Sequence, residues 1–85
     1  MITYEKACKI AKETQKASFP TYEYIEVVEA DDRWCFALSI DADTVLTPAP
    51  MFFVFKKDGS VEWFSIPPIE NLLIWQTGKK IKFID

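Results

Sequence analysis

Three features of this 85-residue sequence predict an α+β fold: a four-stranded antiparallel sheet with an N-terminal and a C-terminal helix packed on one of its faces. The first is the run MFFVF at 51–55, rich in the aromatic and β-branched residues that suit a pleated, buried surface. The second is the turn Lys56-Lys57-Asp58-Gly59-Ser60, whose Asp-Gly pair is a strong hairpin signal, followed by the strand VEWF at 61–64. The third is strict alternation over 33–40, where Trp34, Phe36, Leu38 and Ile40 face one way and Arg33, Cys35, Ala37 and Ser39 the other. The order of elements is α-β-β-β-β-α, with a short fifth strand or extended tail at 80–84.

Residues 3–17 read as an amphipathic helix, with Tyr4, Ala7, Cys8, Ala11 and Thr14 on its apolar side and Lys6, Lys9, Lys12 and Lys16 opposite. Thr3 suits the N-cap, Glu5 suits the positive end of the helix dipole, and Pro20 stops the helix. Small residues on the apolar side predict close approach to a sheet. A first strand spans 22–30, but Tyr22, Tyr24 and Val28 share a side with Glu26. A bulge, or tyrosine rings buried against one end of the sheet, would account for that. Ala30-Asp31-Asp32 forms the turn into the second strand.

Residues 41–50 make a loop longer than the common two-to-six-residue connection, and longer loops more often bind something. After the hairpin, Pro68 fits the first turn of a helix reaching Thr77, with Ile69, Leu72, Leu73, Trp75 and Gln76 along one side and Gly78 ending it. Lysines over 80–84 alternate with Ile81 and Phe83 and would guard an exposed strand edge.

A chain this short makes a single domain, 1–85, that hides roughly 60–65% of its unfolded surface, so thirteen aromatic side chains make up for a small core. Two cysteines are too few for a disulfide framework, and no secretory leader or membrane-spanning run is recognisable, so the expectation is a soluble, reduced, cytoplasmic protein with no membrane contact. Charge is unevenly spread: residues 1–18 carry four lysines against two glutamates, whereas 21–43 hold seven acids against Arg33 alone. An acidic middle disfavours nucleic acid and favours a basic partner, though the same acids also serve to solvate strands and loops.

With no histidine, Ser-His-Asp and Cys-His catalysis are excluded, and no cofactor or metal site is expected. Asp41-Ala42-Asp43 opens like a calcium loop, but Leu46 and Phe52 stand where that loop needs glycine and glutamate. The two glycines cannot build a phosphate cradle, and the chain is not expected to be an enzyme.

The order of features resembles the immunity protein 35 family, small bacterial domains thought to neutralise toxins delivered between competing cells. The matching residues are Tyr4, Ala7, Ile10 and Ala11 in the first helix, Trp34 and Phe36 in a strand, the Pro50–Val61 hairpin, and a closing helix with Pro67, Pro68, Ile69 and Trp75. That resemblance implies a protein that binds a cognate toxin and has no catalytic residues of its own. Glu29, Asp31, Asp32, Asp41 and Asp43 are the acids expected to gather at one end of the sheet and dock on a basic patch of that partner. A structural or interaction module unrelated to toxins, or a small-ligand binder, are the other classes the sequence leaves open.

Overall fold

Helix α1, Tyr4–Ser18, begins where Thr3 caps it: the Thr3 hydroxyl oxygen accepts from the Lys6 amide at 3.2 Å, and Glu5 occupies the first turn. At the other end the Phe19 N–H returns to the Gln15 carbonyl, and Gln15 Nε2 donates to the Phe19 carbonyl at 2.8 Å. The structure, a computed structural model, describes residues 1–44, 49–64 and 75–84. Among these residues five strands follow the helix: β1 (Tyr24–Glu29), β2 (Arg33–Ser39), β3 (Met51–Phe55), β4 (Val61–Phe64) and β5 (Lys79–Ile81). They form one antiparallel sheet in the order β4-β3-β2-β1-β5. The expected tail strand is therefore a real fifth strand, paired with the first rather than appended beyond the hairpin.

The stripe Ala7, Cys8 and Ala11 lets α1 lie close over Ile25, Val27, Trp34, Phe36, Leu38, Phe52 and Val54, and together these make the main core. Phe36 and Phe52 stack at its centre with ring centroids 5.4 Å apart. Burying one such side chain contributes roughly 1.5–3 kcal/mol, so this layer dominates the stability of a chain of this size.

The expectation of both helices on one face is corrected. Val28, Cys35 and Phe53 form a second buried cluster on the far side of the sheet, and Trp75 packs there, opposite α1. The reason is visible in the composition of the strands. Neighbours Val27 and Val28, and the whole run 52–54, are buried irrespective of parity, which requires cover on both faces. It also explains the imperfect alternation of β1 without a bulge, since its register against β2 is continuous from Tyr24↔Ser39 to Glu29↔Trp34. Tyr22 lies outside the strand and packs at the edge of the main core. Residues 75–77 are helical; the rest of the predicted closing helix, with Pro68, Ile69, Leu72 and Leu73, and positions 45–48 of the long loop, lie outside the described residues.

Ile40 is a second correction. Alternation puts it in the core, but β2 ends at Ser39 and Ile40 is 53% exposed. The hairpin between β3 and β4 forms as expected: Gly59 takes φ +76°, and the Asp58 carboxylate accepts from the Ser60 amide at 2.9 Å.

Candidate functional site

The sheet register sends the expected docking acids to opposite ends. Glu29, Asp31 and Asp32 sit at the β1–β2 turn, whereas Asp41 and Asp43 follow the far end of β2. Six steps along β2 separate the two groups by about 20 Å, at the roughly 3.4 Å rise of an extended strand. The acids do not form one cluster, because a strand of this length lies between them.

At the β1–β2 turn the charges are partnered inside the chain. Arg33 donates through Nε and Nη2 to the Asp32 carboxylate at 2.8 and 2.9 Å, and its guanidinium lies 4.9 and 4.7 Å from the Phe53 and Phe55 ring centroids. The Arg33 hydrogen bond holds the Asp32 carboxyl below the usual carboxylate range. Lys56 Nζ meets Glu29 Oε2 at 2.7 Å and lies 5.3 Å from the Trp34 ring centroid. Tyr4 flanks the same indole at 5.6 Å. Of the three acids here only Asp31 is without a hydrogen bond or ion pair among the described residues, and it is exposed.

The other end is built differently. Asp41 is a turn residue: its Oδ1 accepts from the Asp43 amide, the Thr44 amide and the Thr44 hydroxyl at 2.8–3.0 Å, and these bonds hold its carboxyl below the usual range. Asp43 is exposed in the same turn, and Glu23, just before the Tyr24↔Ser39 pair, is exposed at the same end of the sheet. Between them and the β4 edge runs a line of aromatic rings. Tyr22 stacks on Phe19 at 5.4 Å and 14°, Phe19 meets Trp63 at 5.5 Å, and Trp63 meets Phe52 at 4.9 Å. Phe52 is fully buried, Phe19 and Tyr22 are half-buried, and Trp63 is 41% exposed.

No family model, curated protein or solved structure matches this chain.

The sequence pattern had placed Trp63 in a strand and allowed for the Tyr22 ring being buried against one end of the sheet, but assigned no role to Phe19. Its signal was an aromatic residue directly before Pro20, with Tyr22 two positions beyond it, where a polar loop is the ordinary choice after a helix. Thiol chemistry has poor footing. Cys8 and Cys35 are buried on opposite sides of the sheet, and burial pushes the Cys35 thiol up to about 12, with Arg33 only partly opposing it. Among the described residues no three metal-ligating side chains converge, and no helix is long and apolar enough to cross a membrane.

Proposed function

We propose that this chain is a protein-binding domain of the immunity type, which docks on a cognate protein toxin and neutralises it through the end of the sheet bearing Phe19, Tyr22 and Trp63. One observation carries the reading: Trp63 is 41% exposed on the terminal strand of the sheet, yet its ring is held by Phe19 and Phe52. Fixed tryptophan and tyrosine rings give large contact area at little entropic cost and dominate the energy of protein interfaces. Glu23 and Asp43 supply an acidic rim to that apolar centre. Such a rim fits a basic partner, and a toxin acting on nucleic acid presents a basic site. The likeness in order of features to immunity protein 35 domains supports the same assignment.

The test is co-expression with the product of the adjacent gene, scoring growth rescue and co-purification. Wild type is expected to rescue and co-purify. Trp63→Ala is expected to lose both while keeping its circular-dichroism spectrum. No rescue by wild type would end the immunity reading, and full rescue by the variant would move the docking surface elsewhere.

A further inference from the structure

Strand β5 covers only half of its neighbour. It pairs with Val27, Val28 and Glu29 of β1 and then ends, leaving Tyr24, Ile25 and Glu26 with β2 on one side alone among the described residues. The register decides which groups of that stretch face outward. The Ala30 N–H donates to the Arg33 carbonyl and the Leu38 N–H to the Pro50 carbonyl. Even-numbered β1 positions therefore bond to β2, and odd-numbered ones point to the outer edge. The N–H and C=O of Ile25 emerge just where β5 has stopped.

Phe83 would sit opposite Ile25 if β5 continued, but the chain is drawn aside. The Tyr4 hydroxyl donates to the Lys82 carbonyl at 2.8 Å, and the Phe83 ring turns edge-on to Phe36 at 6.3 Å. The two walls part into a slot of about 460 Å³, lined by residues 23–27 on one side and 80–83 on the other. A strand edge with free N–H and C=O groups is a template for a further strand.

We propose that this slot takes an extended segment of the partner protein, added as a strand to the outer edge of β1; the idea rests on the protein-binding reading above. The lining states the chemistry of that segment. Toward α1 it meets Ile25, Val27, Ile81 and Phe83, which call for an apolar residue. The slot's polar lining includes Glu26 and Lys80, neither of them ion-paired among the described residues, with Lys82 beside them. A side chain that donates to the carboxylate and accepts from the ammonium, such as threonine or asparagine, satisfies both. The occupant is thus a strand of alternating apolar and uncharged polar residues. Tyr22 leads directly into Glu23 and Tyr24, so a partner seated on the aromatic end can run its strand into the slot.

The experiment needs no toxin, so its failure and that of the immunity reading are separable. An end-capped pentapeptide alternating threonine and valine is titrated to millimolar concentration into the ¹⁵N-labelled chain. Amide shifts confined to 23–27 and 80–83 are expected, with exchange of the Ile25 amide slowed about tenfold or more at saturation. The same peptide N-methylated at its bonding positions is expected to do nothing. Absence of binding, shifts centred on β4, or equal activity of the methylated peptide would each overturn the proposal.

Discussion

The two ends of this sheet handle polar and apolar groups in opposite ways. At the β1–β2 turn most of the charge beside the strand ends is paired inside the molecule: Arg33 on Asp32, Lys56 on Glu29, and both cations on aromatic rings. At the far end Asp43 and Glu23 are exposed with no side-chain partner among the described residues, and a tryptophan is left partly in water. Charge alone therefore does not mark a docking surface. What marks it is charge without an internal partner next to apolar surface without cover.

The comparison breaks first at its two tryptophans. Trp34→Ala removes a ring that is only 4% exposed and should cost about 3–5 kcal/mol, whereas Trp63→Ala should cost about 1–2 kcal/mol because only its ring contacts and part of its burial are lost. Chemical denaturation of the two variants reads the difference; equal losses would mean that Trp63 belongs to the core. Gly59→Val comes next, at roughly 1–3 kcal/mol. Its φ of +76° disfavours any branched side chain, and a Cβ there would lie 3.0 Å from Ile10 Cδ1. A thermal melt unchanged from wild type would place the turn in another register.

These two positions also show what the sequence reveals and what it hides. The Asp58-Gly59 turn and the alternation from Trp34 to Leu38 are local patterns, and local patterns fix strands and hairpins. The second layer was harder to read, because the apolar run 51–55 states that both faces are covered but not by what. Trp75 answers that question only through a contact with residues more than twenty positions away, Phe53 among them. The expected gathering of the acids at one end of the sheet failed for a related reason. Asp32 and Asp41, nine positions apart in sequence, are separated by a strand that runs from one end of the sheet to the other, and the pairing of Glu29 with Lys56, 27 positions away, depends on register rather than composition.

Smaller effects sharpen the contrast. Lys56→Met removes the counter-ion of Glu29 and the cation beside Trp34, and a loss of about 1–2 kcal/mol is expected in urea titration. Acid should weaken the fold as well. Asp32, Asp41 and Asp58 are held below the ordinary carboxylate range by Arg33, by Thr44 and by the Ser60 amide respectively. Stability from such depressed groups is complete above about pH 4 and is lost as pH falls through their folded-state values. The urea midpoint should thus fall between pH 5 and pH 2 (about the range over which such groups titrate), and Asp32→Asn should flatten part of that fall. The last test separates the ends by rate. Asp43→Lys should slow association with a basic partner, more so at low salt where the Debye length is about 30 Å than at physiological salt where it is about 8 Å. Asp31→Lys, at the other end, should leave the rate nearly unchanged in stopped-flow mixing.

The sheet order carries a consequence for how the molecule assembles and comes apart. Strands β1 to β4 form a meander in which each strand pairs with the next along the chain. Strand β5 has to travel back past three of them to reach β1, and the bond between Tyr4 and Lys82 spans 78 positions. Loop closure over that distance comes late, since its entropic cost is met only after the meander offers a surface to close on. Strand β5 would thus act as a clasp on a meander already packed under α1. When the native state breathes, the clasp is what lets go first, so amides of residues 79–81 should exchange ahead of those in β2 and β3.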